Sequence, residues 1–101
     1  MSVELLLCPA DDQSRPLKSE VLAAEISRHL GWHCAIESHD GVDWLVCHEK
    51  AIDGRIGIDE QGFANSIMLQ IGEGAKPEDE EALVTAFRAL EWDLVDCDYE
   101  E

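Results

Sequence analysis

Bases are scarce in this chain: seven lysines and arginines stand against 23 aspartates and glutamates, a formal net charge of −16. Contacts to nucleic-acid phosphates need Lys and Arg to displace counterions, so direct nucleic-acid binding is excluded. An anionic membrane surface repels the chain for the same reason. No stretch approaches the ~18 consecutive apolar residues that a spanning helix needs. The opening MSVELLLCPADD has a short apolar run and no basic leader, and reads as a strand rather than a signal peptide. A C-x-x-C pair is missing, as is any cysteine spacing typical of zinc. Without an export signal, the four cysteines are expected as reduced thiols in a cytoplasm rather than as a disulfide framework. Repeats, low-complexity segments and linkers are absent as well, so nothing divides the chain.

What is present fits one globular domain over residues 1–101. A hydrophobic share of 46% with 30% charged residues is folded rather than disordered composition. A chain of 101 residues buries a real but modest core. The acidity admits a basic protein partner, a cation or high solubility. Adaptation to salt would also give an acidic chain poor in lysine, and only Lys18, Lys50 and Lys76 occur. Carboxylates arrayed on one side would imitate a phosphate backbone and occupy a nucleic-acid-binding protein. The plainest reading is a solvated acidic surface with no dedicated partner.

The chain is organised around Trp32 to Glu49, WHCAIESHDGVDWLVCHE. Asp-Gly between alternating apolar runs signals a two-residue type I′ turn, which needs positive φ at both central positions. With the turn at Asp40-Gly41, His39 faces Val42, Cys34 faces Cys47 and His33 faces His48. Alternation then gives the hairpin two faces. Trp32, Cys34, Ile36, Leu45 and Cys47 form an apolar face assigned to the core. His33, Ala35, Glu37, His39, Val42, Trp44, Val46 and His48 form a mixed face.

The other elements follow in order. Val3 to Cys8 is a buried strand ended by Pro9. A helix starts at Pro16 or is capped by Ser19, and stops at Gly31. Leu22, Ala23, Ile26 and Leu30 are its core stripe, with Leu17, Val21 and Ala24 on roughly the other side. KAIDG reads as a turn, Arg55 to Ile58 as a brief strand, and Phe63 to Ile71 as a longer one with Ile67, Leu69 and Ile71 inward. Asp59-Glu60-Gln61-Gly62 joins them as a hairpin loop. Pro77, followed by four acids, opens a second helix whose stripe is Leu83, Ala86, Phe87 and Leu90. Trp92 to Tyr99 is a closing strand.

The expected fold is α+β, a two-layer α/β sandwich with a mixed, mostly antiparallel sheet and two helices on one face, in the order β-α-β-β-β-β-α-β. This order resembles the ferredoxin-like βαββαβ arrangement with an extra hairpin. The resemblance is one of element order and carries no function.

No catalytic motif stands out, and no cofactor is implied. His33 and His48, if opposed, are weak candidates for a metal, with Glu37 or Glu49 nearby, but two ligands fall short of a structural site. Cys34 and Cys47 come within disulfide reach, since opposed strand residues have suitable Cα separations. Core thiols are nonetheless the better reading for Cys8, Cys34 and Cys47. Cys47 and His48 point to opposite faces and make no dyad. EKAIDGRIGIDE fails as a calcium loop, with Ala51 and Arg55 where oxygen ligands or a carbonyl turn belong. GEGAK lacks the spacing and hydroxyl of a phosphate loop.

Helices on one side leave the other side of the sheet open, with His33, Ala35, Glu37, Val42, Trp44, Val46 and His48 as its interface or pocket residues. An indole flanked by valines marks a contact surface. The expected function is that of a small acidic protein-binding or regulatory module, cytoplasmic, acting by binding rather than catalysis and associating as a homodimer through this face. A small-molecule pocket beside Trp44, His33 and His48 is the alternative, and an acidic inhibitor of a basic protein a further one.

Overall fold

The computed structural model describes residues 3–10 and 16–95, including every side chain in them but those of Val3 and His48. The elements are β1 (Val3–Pro9), α1 (Ser19–Leu30), β2 (Ala35–His39), β3 (Val42–Cys47), β4 (Ile52–Ile58), β5 (Ala64–Ile71), α2 (Pro77–Ala89) and β6 (Trp92–Val95). A 3₁₀ turn at His48–Lys50 joins β3 to β4. The closing strand is described as far as Val95, so the part of it expected up to Tyr99, and Cys97, lie outside the described residues.

Asp40 and Gly41 take φ of 55° and 78°, the left-handed pair that the Asp-Gly turn requires. The resulting register sets Ala35 against Val46, Ile36 against Leu45, Glu37 against Trp44 and His39 against Val42. Short connections reverse the chain again between β3 and β4 and between β4 and β5. The sheet has six strands in the order β2-β3-β4-β5-β1-β6. Every neighbouring pair is antiparallel, which corrects the expectation of a mixed sheet. The reason lies in the two crossovers. The helix between β1 and β2, and that between β5 and β6, each join strands of like direction that other strands separate.

One core lies between the helices and one face of this sheet. Leu22, Ala23 and Ile26 of α1 and Leu83, Ala86 and Phe87 of α2 meet Leu5, Leu7, Leu45, Ile56, Ile67 and Leu69 from the strands. The Phe87 and Trp92 ring centroids are 5.5 Å apart. The Trp92 indole nitrogen is buried with no hydrogen-bond partner among the described residues. Leu17 belongs to this core, not to a second stripe on the helix: it precedes α1 and bridges to Ala64 of β5. Lys18 occupies the cap position without a side-chain hydrogen bond, and Gly31 ends α1 with φ 70°. Pro77 and three acids open α2, where the helix N-terminus favours them.

Ser19 is the buried polar residue of the core, and Asp43 accounts for it. The Ser19 hydroxyl donates to Asp43 Oδ2 at 2.8 Å, and Ser38 donates to Oδ1 at 2.7 Å. One carboxylate thus ties the start of α1 to the tip of the β2–β3 hairpin. Gly54, within the segment expected to turn, is instead a core-facing strand residue. A Cβ there would lie 2.8–2.9 Å from Ile67 and Leu69 side-chain carbons. The turn falls three residues earlier, at Ala51, which takes φ 56°.

Candidate functional site: the open sheet face

Alternation that sends Leu5, Leu7, Leu45, Ile56, Ile67 and Leu69 inward sends their neighbours to the face away from the helices. The ladders line these up into a row across the sheet. Glu37 lies beside Trp44, Trp44 beside Arg55, Arg55 beside Met68, Met68 beside Leu6, and Leu6 beside Val95. A second row holds Ala35, Val46, Asp53 and Gln70. Leu6, Val42, Trp44, Val46 and Met68 are half-buried, while Arg55 is exposed.

Arg55 is the one lysine or arginine at an outward strand position among the described residues. Its guanidinium has no carboxylate within ion-pair distance among them. The Lys and Arg ion pairs among the described residues, Arg28 with Glu25, Lys50 with Asp79 and Arg88 with Asp93, lie elsewhere. A hollow of about 490 Å³ beside Trp44 is lined by Glu4, His39, Trp44, Arg55 and Met68. A neighbouring one of about 440 Å³ shares Val42, Arg55 and Met68 and adds Leu6 and Ser66.

The residues proposed from the sequence fall as follows. Val42, Trp44 and Val46 stand together on this face, with Glu37 and exposed Ala35 on the adjoining strand. The imidazole beside Glu37 is that of His39, 3.4 Å away. His33 is exposed and precedes β2, and the β2–β3 ladder stops at Ala35 and Val46. The expected opposition of His33 to His48 therefore lies beyond the paired strands, and the His48 side chain is outside the description. Among the described residues no three His, Cys, Asp or Glu side chains gather as a metal site. Leu6, Arg55 and Val95 were not anticipated, because their neighbours across the sheet depend on a strand order that local pattern does not encode. Met68 was signalled by its alternation with Ile67 and Leu69.

Cys8 is corrected from core to open face: Leu5 and Leu7 take the inward positions and leave it outward, beside Asp93. Partial burial pushes its thiol pKa up. Cys34 and Cys47 do face the helical side, and their sulfurs are 2.8 Å apart. The hydrogen bond with Cys47 draws the Cys34 thiol below its ordinary value, against the effect of burial and with help from the Ser27 hydroxyl. The same bond pushes Cys47 far up, reinforced by burial and by the charges of Cys34 and Asp53.

The helical side carries a further hollow of about 410 Å³ that sequence reading missed, between His29 and Leu30 of α1 and Ala82, Ala86 and Ala89 of α2. Small residues at helical spacing on α2 were the available signal, since they leave a furrow where larger side chains would meet. No helix among the described residues is long and apolar enough to cross a membrane. Set against protein-family models, curated proteins and solved structures, the chain matches none.

Proposed function

We propose that this is a protein-binding module that pairs with a second copy of itself through the open sheet face centred on Trp44 and Arg55. The observation that carries the reading is the cross-sheet row itself: an indole, a thioether and aliphatic side chains in line, left without cover by either helix. The row is self-complementary in charge. In a twofold pairing the Arg55 of one copy meets the acidic flank, Glu4 or Asp53, of the other. Strand spacing and rise give the face a flat footprint of about 500 Å². Side-chain relief brings that toward the ~800 Å² each partner contributes to a stable complex.

The same reading places the module in the cytoplasm, where unpaired thiols persist. It also takes the sheet as a ferredoxin-like unit, β4-β5-β1-β6, lengthened at one edge by the β2–β3 hairpin. A small ligand in the hollow beside Trp44 is the second reading, favoured by a volume of about 490 Å³ and by the polar groups His39, Arg55 and Glu4 around it.

Solution mass tests the proposal. At low micromolar concentration the chain should sediment as a dimer. The dimer should tighten as salt rises, because each copy carries net charge −16 and screening weakens their repulsion. Trp44→Glu should give a folded monomer with an unchanged circular dichroism spectrum. A wild-type monomer at every salt concentration, or a Trp44→Glu variant that still dimerises, rejects self-association. A monomer that retains a small molecule through purification supports the ligand reading instead.

A further inference from the structure

Behind the open face, on the helical side, two thiols are held against each other by separate parts of the fold. Cys34 precedes β2 and is anchored to α1. Its N–H donates to the Ser27 hydroxyl at 3.2 Å, and that hydroxyl lies 3.3 Å from the Cys34 carbonyl oxygen as donor. Cys47 ends β3 and is fixed by the next ladder, opposite Ile52. The two sulfurs meet at 2.8 Å, whereas a disulfide bond is about 2.05 Å long. Bond formation therefore needs a small side-chain adjustment and no rearrangement of the strands. The pair is also asymmetric in access: Cys47 is 1% exposed, while Cys34 is partly open to solvent.

We propose that Cys34 and Cys47 form a redox site that cycles between a dithiol and an intrachain disulfide, with Cys34 as the attacking thiol and Cys47 as the resolving one. The oxidant is a low-molecular-weight disulfide. The Cys34 thiolate attacks one of its sulfurs, breaking the S–S bond and releasing one small thiolate. A mixed disulfide remains on Cys34. Cys47 then attacks the Cys34 sulfur and expels the second small thiol, which takes up the proton that Cys47 loses. Two thiols of the protein are oxidised and one external disulfide is reduced to two thiols. An excess of small dithiol reverses the sequence by the same steps. The lowered pKa of Cys34 favours its role in the first attack.

This site uses neither Trp44 nor the open face, so it stands apart from the proposal of self-association. In the oxidised form the open end of the β2–β3 hairpin is covalently closed, and the sheet edge formed by β2 is fixed to its neighbour.

The experiment incubates the full chain with oxidised glutathione, quenches in acid and denaturant, alkylates the remaining thiols and maps tryptic peptides. The segment from His29 to Lys50 contains only these two cysteines and no internal Lys or Arg, so Cys8 and Cys97 do not interfere. That peptide should escape alkylation, be two hydrogens lighter, and return to full alkylation after treatment with dithiothreitol. Cleavage at Asp40 should leave its halves joined. Cys47→Ser should stop at a single glutathione on Cys34, and Cys34→Ser should react many-fold more slowly. The wild-type map decides the matter even if a serine variant does not fold. Both thiols remaining alkylatable overturns the proposal. So does an unresolved adduct on the wild-type chain, or a linkage found only between chains.

Discussion

The two faces of the sheet are built from the same strands and alternate residues, yet they differ in kind. The inward set is aliphatic and shut off: Leu7, Leu45, Ile67 and Leu69 are all at 0% exposure. The outward set breaks its apolar row with Arg55 and flanks it with Asp53, Gln70 and Glu4, and its hydrophobic members are half-buried, as are Leu6, Trp44 and Met68, or exposed, as is Val95. The inward face is thus completed within one chain, whereas the outward face keeps apolar surface that folding does not remove from water. A single strand period therefore serves stability on one side and contact on the other.

The comparison can be broken by matched substitutions, measured by chemical denaturation under reducing conditions and at concentrations low enough to hold the chain monomeric. Phe87→Ala empties a fully buried position against Trp92 and should cost about 3–5 kcal/mol. Trp44→Ala removes a side chain as large from the open face and should cost about 1 kcal/mol or less. Equal losses would mean that Trp44 is part of the core.

A finer contrast lies along β4, where two glycines face opposite ways. Gly54→Ala drives a methyl into Ile67 and Leu69 and should cost about 1–3 kcal/mol. Gly57→Ala meets the Ser66 hydroxyl and the Asn65 amide oxygen, side-chain ends that can rotate away, and alanine suits a strand better than glycine. That variant should be neutral or slightly more stable. A larger loss at Gly57 than at Gly54 would reverse the assignment of the faces.

The smallest effect concerns pH. Cys47 keeps its proton in the folded chain, through its hydrogen bond with Cys34 and burial, but loses it in the unfolded chain above about pH 8.5. The folded state then binds more protons than the unfolded one, so stability falls as pH rises past that point. Cys34, with its lowered pKa, acts in the opposite sense just below that pH. Reduced protein titrated with urea at a series of alkaline pH values should show the decline, and Cys47→Ala should flatten it. A wild-type slope unchanged by that variant would assign the decline to other groups.

Much of this architecture was legible because it rests on local rules. Asp40-Gly41 fixed the hairpin register, and with it the outward placement of Trp44, through the φ values its turn demands. Pro77 and the acids behind it marked the start of α2. What escaped depended on ambiguous signals. Gly54 looked like a turn residue because glycine serves both turns and crowded cores, and only the packing of Ile67 and Leu69 distinguishes them. The real turn uses Ala51, a residue with no preference for positive φ. Leu17 carried helical spacing but is held by a bridge to Ala64, a contact distant in sequence. The apolar run from Leu5 to Cys8 hid which way Cys8 and Leu6 point, although Glu4, exposed at the start of the same strand, carries their outward parity. Arg55 joined the site only once β4 had been set beside β3 and β5.

The central place of β1 also bears on how the chain reaches this state. β2 through β5 can zip together as successive neighbours, each closing only a short loop. β1 must instead insert between β5 and β6, with Val3 against Ile71 and Pro9 against Trp92. Such distant pairings lose entropy before they gain contacts, so docking of the earliest strand is expected to be the slow event of assembly. β1 can pair with β5 before α2 and β6 are in place, but until β6 follows, its second edge is expected to stay open to wrong associations.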